Sequence, residues 1–137
     1  MSYLGEEIKK LGFGLMRLPQ KDGQIDIEQT KTMVDMFLKE GFTYFDTAWA
    51  YNGSEEAIRQ ALVERYPRES FQLATKNAAW INCKTREDAI NQFETSLKRT
   101  GAGYFDFYLL HNLGESRTNS NKLCRLGKPC YPIKSML

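Results

Sequence analysis

Long apolar runs, paired cysteines and any acidic residue beyond Glu115 are all missing from this sequence. No uninterrupted apolar stretch approaches the roughly 18 residues needed to cross a bilayer, so a membrane-spanning role is not expected. The start MSYLGEEIKK lacks the apolar centre of a signal peptide, and a soluble, cytoplasmic location follows as the expectation. Cys83, Cys124 and Cys130 make neither an even framework nor a C-x-x-C pair, which argues against a disulfide scaffold or a zinc site and for reduced thiols. The missing acids leave residues 116–137 with five Lys and Arg. That segment carries one aromatic, Tyr131, and no helical charge stripe, so a nucleic-acid partner is not expected and a solvated, poorly ordered terminus is.

What is present is an alternation of β-prone and helix-prone segments. KKLGFGLMRLP reads as a strand ending at Pro19, and QKDGQ as a turn. Asp26 with Gln29 three residues on opens a helix carrying Ile27, Val34, Phe37 and Leu38, closed by Gly41. Phe42–Asp46 is short, aromatic and β-prone, and Ser54 before Glu55 and Glu56 reads as the cap of a second helix with Ile58, Ala61 and Leu62 inward. Pro67 is expected to end it. Phe71–Lys76 is the next strand, and Thr85 with Asp88 opens a third helix carrying Ile90, Phe93 and Leu97, terminated by Gly101 and Gly103. Phe105–His111 is almost uniformly apolar, as expected of a parallel strand covered on both faces.

Strands alternating with helices imply right-handed crossovers and a parallel sheet, so the fold class is α/β. Two architectures fit: an open doubly wound sheet, or a partial (β/α)8 TIM barrel. Such barrels run to about 250 residues with eight strands, and this chain supplies about four βα units in 137 residues, a half-barrel.

Three successive strands finish on an ionisable side chain, Asp46, Lys76 and His111, separated by 30 and 35 residues, about one βα unit each. The carboxyl ends of parallel strands open on one face, so a carboxylate, an ammonium and an imidazole would reach one crevice, with Tyr51 leaning over it. Those groups suit reduction of a carbonyl by hydride transfer, which needs a proton donor and stabilisation of the developing alkoxide. A phenol can donate the proton, and a neighbouring ammonium favours the phenolate left behind. Lys76 would be that neighbour, Asp46 would keep it charged and placed, and His111 would orient the carbonyl oxygen. Singly, each is usually a solvated strand end or a core residue. Jointly, their spacing is harder to assign to chance.

Asp46-Thr47-Ala48 with Tyr51, then Lys76 after an apolar strand, then His111, resemble the Asp, Tyr, Lys and His tetrad of the aldo/keto reductases. GFTYFDTAWAYNGSEEAIRQAL resembles that family's second strand, catalytic loop and following helix, and LGFGLMRLP its first strand; the resemblance covers residues 4–117. Arg59 departs from it, since the family commonly has Gly there. The resemblance implies a barrel oxidoreductase reducing aldehydes or ketones with NADP, or alternatively NAD, and a small-molecule carbonyl as partner. It makes Gly14, Met16, Arg17 and Asp46 candidate contacts of the nicotinamide. Gly12-Phe13-Gly14-Leu15-Met16-Arg17 is not read as a Rossmann fingerprint, because Arg occupies the third glycine position.

The text changes character at Thr118: NSNKLCRLGKPCYPIKSML has no apolar period for a fourth helix, so 1–117 reads as the N-terminal half of a barrel and 118–137 as a basic tail foreign to the family. A frameshift, a premature stop or a gene-model error would each produce a truncated barrel of this kind. Four strands cannot close a barrel, and their open edges favour self-association. Besides the reductase reading stand a catalytically silent half-barrel acting as an association module, and an aldolase-like barrel with Lys76 as a Schiff-base lysine. The last leaves Tyr51 and Asp46 without a task.

Overall fold

A computed structural model describes residues 7–112 and Gly114 of the chain. Residues 118–137, including the segment expected to be a poorly ordered tail, lie outside the described residues.

Four strands, β1 (Gly12–Gly14), β4 (Tyr44–Asp46), β5 (Gln72–Asn77) and β6 (Phe107–Leu110), form one parallel sheet in the order β1-β4-β5-β6. The order follows the chain without reversal. A doubly wound sheet reverses about a switch point, so this is the strand order of consecutive barrel staves. Between β1 and β4 lie a short antiparallel hairpin, β2 (Gln20–Lys21) and β3 (Gln24–Ile25), and helix α1 (Ile27–Lys39). Helix α2 (Ser54–Ile58), continued by a π-helical turn (Arg59–Val63), and a 3₁₀ turn (Arg68–Ser70) join β4 to β5; helix α3 (Arg86–Thr100) joins β5 to β6.

Local chemistry explains most boundaries. Asp26 caps α1 by accepting from the Gln29 N–H at 2.9 Å. Thr85 and Asp88 form a reciprocal capping box on α3, which ends on Gly101 in the left-handed conformation. QKDGQ is more than a turn: Asp22 and Gly23, with φ of 51° and 77°, supply the two left-handed residues of a tight hairpin. Other expectations need correction. Strand β1 spans three residues: Leu15 is buried and still donates its N–H to the Asp46 carbonyl at 2.9 Å, and Met16 and Arg17 then form a turn. Ser54 does not cap α2; Gly53, at φ 72°, holds the cap position and the Ser54 hydroxyl turns to the Thr47 hydroxyl, 2.7 Å away. Helical structure there stops at Val63, before Pro67. Strand β6 is not covered on both faces: Leu109 and Leu110 stay 41% and 38% exposed, as the edge strand among the described residues.

Side chains alternate across the sheet with period two. Phe45, Leu73 and Tyr108 face the helices, where Phe45 and Leu73 join Val34, Ile58, Leu62, Phe71, Phe93 and Phe105 in the buried core and Tyr108 packs edge-on to Phe93. Tyr44 and Phe107 meet on the opposite face, ring centres 5.6 Å apart. Asp46 and Lys76 share the parity of that face with Tyr44, and His111 shares it with Phe107.

Arg59 is exposed and reaches α3. Its Nε pairs with Glu64 at 2.7 Å, its Nη1 lies 3.5 Å from the Lys98 carbonyl, and a Cβ on Gly101 would stand 3.3 Å from that Nε. Its role is one of packing at a helix end.

Candidate active site

The strand ends deliver three groups to one place. Strand pairing aligns Gly14, Asp46 and Ala74 across β1, β4 and β5, and Lys76 stands two residues beyond Ala74, opposite Leu109 of β6. The Lys76 ammonium donates to Asp46 Oδ2 at 2.6 Å and to the Thr47 carbonyl at 2.8 Å, and lies 3.5 Å from the Tyr51 hydroxyl. It also stands over the Tyr51 ring, 4.9 Å from its centre. Tyr51 meets His111 edge to face, centroids 5.4 Å apart and planes at 89°. The four tetrad candidates are therefore linked in one chain of contacts, Asp46 to Lys76 to Tyr51 to His111.

The backbone N–H of His111 donates to the Asn77 carbonyl at 2.8 Å, while the buried Nδ1 of its ring has no hydrogen-bond partner among the described residues. Burial and the neighbouring Lys76 charge push the imidazole pKa down, with Asp46 pulling it back. Near neutrality the ring is uncharged and able to donate one N–H. The unfolded chain then binds more protons than the folded one between the lowered midpoint and the ordinary value of about 6.5, so His111 subtracts stability as pH falls through that window. The chain contains a single histidine, so its ring protons are uniquely visible by NMR. The titration midpoint is expected below 6.5, to rise in Lys76→Met and to fall further in Asp46→Asn. A Lys76→Met midpoint no higher than that of the unaltered chain would contradict this charge layout.

The cofactor candidates divide. Gly14 is exposed beside Asp46, and a side chain there would meet nothing within 4 Å, so the backbone borders open space at the strand ends. Met16, 63% exposed, and Arg17 follow in the turn after β1, and neither bonds to the tetrad. Asp46, a candidate in both sets, lies beside Gly14 in the sheet and pairs with Lys76 through its carboxylate.

Several neighbours escape a reading by strand ends. The Trp80 ring stands 6.2 Å from His111, in the loop after β5. Glu55, 1% exposed, accepts from the Thr75 hydroxyl at 2.8 Å and faces Arg99 at 3.4 Å. Burial raises its pKa, opposed by the hydrogen bonds and the Arg99 charge. The available signals were weak: a tryptophan four residues past Lys76, and a threonine directly before it.

The aldo/keto reductase family model matches residues 10–125. An aldo-keto reductase of Mycolicibacterium smegmatis is 31% identical over 107 residues, covering 78% of this chain and 36% of its own length. The NAD(P)H-dependent pentose reductase of Pyricularia oryzae is 30% identical, covering 78% of this chain and 31% of its own. Among solved structures, an aldo-keto reductase from Klebsiella pneumoniae in complex with NADPH superposes with a TM-score of 0.64 at 28% identity, over 79% of this chain and 37% of that one. The chain thus spans about a third of the length of the curated relatives it matches. No helix among the described residues is long and apolar enough to cross a membrane. With its sheet running in barrel order and its family match covering most of the sequence, the chain belongs to the aldo/keto reductase family.

Proposed function

We propose that this chain carries the catalytic residues of an NAD(P)H-dependent oxidoreductase that reduces aldehydes or ketones to alcohols. The observation carrying this reading is the Lys76 ammonium, 2.6 Å from Asp46 and 3.5 Å from the Tyr51 hydroxyl. Tyr51 donates its proton to the carbonyl oxygen, and the adjacent ammonium stabilises the phenolate that remains. Asp46 holds that ammonium in place. His111, uncharged, donates a hydrogen bond to the same oxygen and sets the angle at which the carbonyl enters. Gly14, Met16, Arg17 and Asp46 would hold the nicotinamide end of the cofactor, which when bound supplies the hydride. The open space beside Gly14 suits a flat ring laid against backbone. NADP is the favoured form, supported by the NADPH complex of the Klebsiella relative, and NAD the alternative.

In a polypeptide that holds this segment within a closed barrel, NADPH oxidation driven by simple aldehydes is expected. NADPH binding without any turnover would return the reading of a catalytically silent association module. Residues 1–137 by themselves should show no measurable turnover. Barrels grip nucleotide phosphates mostly with loops after strands seven and eight, and displacing a reacting atom by about 1 Å can already cost a hundredfold. Strands β1 and β6 each keep one side unpaired among the described residues, which favours self-association. Titrating the purified chain with NADPH and NADH, with light scattering alongside, checks both points. Saturable micromolar binding with Tyr51-dependent turnover would overturn the first, and a monodisperse monomer the second.

A further inference from the structure

We infer that Glu55 is a positioning residue, fixing the Tyr51 loop against the strand that carries Lys76 through its paired contacts to Thr75 and Arg99. A carboxylate with 1% exposure is out of place on a five-residue helix unless both oxygens are used. Both are. Oε1 accepts from Thr75, the residue immediately before Lys76, at 2.8 Å. Oε2 faces Arg99 of α3 at 3.4 Å, and the same guanidinium nitrogen lies 3.4 Å from the Trp49 carbonyl inside the loop. The Arg99 guanidinium also stands 5.4 Å from the Trp49 ring centre and pairs with Glu56 at 3.2 Å.

The loop from Thr47 to Gly53 is thus tied on three sides. At its start, the Thr47 carbonyl accepts from Lys76 and the Thr47 hydroxyl bonds Ser54. In its middle, the Trp49 N–H donates to the Lys76 carbonyl at 3.2 Å, and Arg99 holds the opposite side of that peptide segment. At its end, Glu55 clamps the first turn of α2 onto Thr75. Tyr51 lies between these anchors: its N–H donates to the Ala48 carbonyl, its carbonyl accepts from the Ser54 N–H at the start of α2, and its ring and hydroxyl meet Lys76 and His111. The spacing of phenol, ammonium and imidazole therefore depends on how α2 sits on β5, which Glu55 sets.

This inference rests on the proposed roles of Tyr51 and Lys76, so its test reads geometry rather than turnover. The Tyr51 and His111 rings are close enough to give an NMR cross-peak between aromatic protons, and the single histidine makes the signal unambiguous. In the full chain, Glu55→Ala should weaken or abolish that cross-peak, whereas Glu55→Gln, which keeps an acceptor for Thr75, should retain it. Thr75→Val preserves side-chain shape and the Glu55–Arg99 pair, removes only the link to β5, and should weaken the cross-peak as Glu55→Ala does. Arg65→Ala breaks an ion pair with Asp35 that joins the turn after Val63 to α1, and serves as the control for general loosening. It should lower the melting temperature and leave the cross-peak intact. An undiminished cross-peak in folded Glu55→Ala, or in Thr75→Val if Glu55→Ala does not fold, overturns the proposal. So does a loss in Arg65→Ala equal to that in Thr75→Val.

Discussion

Tyr51→Phe is expected to lower aldehyde turnover by about 10²- to 10⁴-fold, the range that a positioned acid contributes, in a polypeptide holding this segment within a closed barrel. The variant is a narrow one. Phenylalanine keeps the ring that meets His111 edge to face and lies under the Lys76 ammonium, so packing and the charge pair with Asp46 should persist. Only the transferable proton disappears. Because that proton matters chiefly in the transition state, kcat and kcat/KM should fall together, while NADPH affinity stays nearly unchanged. Steady-state kinetics with a small aldehyde, plus a fluorescence titration with NADPH, separate the two. Turnover within about tenfold of the unaltered protein would take the proton-donor role away from Tyr51.

Arg68→Ala should produce a large loss of stability, about 3 kcal/mol, the lower end of what breaking a buried ion pair from one side costs, because this pair is part-buried. Its guanidinium pairs with Asp106 at 2.6 Å with both side chains under one-fifth exposed, and donates to the carbonyls of Ala102, Phe71 and Tyr104 at 3.2, 3.0 and 2.9 Å. The planar group also lies over the Tyr104 ring, 3.7 Å from its centre. One side chain thereby closes the start of β5 onto the loop leading to β6. Alanine would leave those carbonyls without that donor and Asp106 without its cation. Against a typical domain stability of about 5–15 kcal/mol, that loss is a large fraction of the whole. Urea unfolding followed by tryptophan fluorescence measures it. Arg68→Lys should recover only part, because an ammonium cannot reproduce the planar fork. A cost under about 1 kcal/mol for the alanine variant would mean the pair is better solvated than its burial implies.

The tetrad was legible in the sequence because strand ends obey simple geometry. Asp46, Lys76 and His111 each close a short apolar run, and parallel strands open at one end, so spacing alone is enough to bring them to one face. Helix starts at Asp26 and Thr85 were legible for a similar reason, since a cap uses only neighbours three residues away. Ser54 misled because the same residue types serve as caps and as partners of distant groups. What decided its role was the left-handed Gly53 before it and the Thr47 hydroxyl opposite. Glu55 was harder still. An acid in a first helical turn ordinarily faces water, and its burial depends on Thr75 and Arg99, 20 and 44 residues away. The exposure of Leu109 and Leu110 was likewise invisible, since an apolar strand reads the same whether or not a neighbour covers it.

Arg59 shows how a departure from a family pattern can bring a dependent change elsewhere. Its positive charge lies at the carboxyl end of α3, where the helix dipole welcomes a cation, and Glu64 holds it there. A side chain at position 101 would press against its Nε, so the long cation at 59 and the bare backbone at 101 are sterically complementary. Among related sequences an acid at 64 should therefore travel with a guanidinium at 59, whereas glycine at 101 should persist whatever 59 carries, because its left-handed backbone, at φ 62°, already disfavours a side chain there.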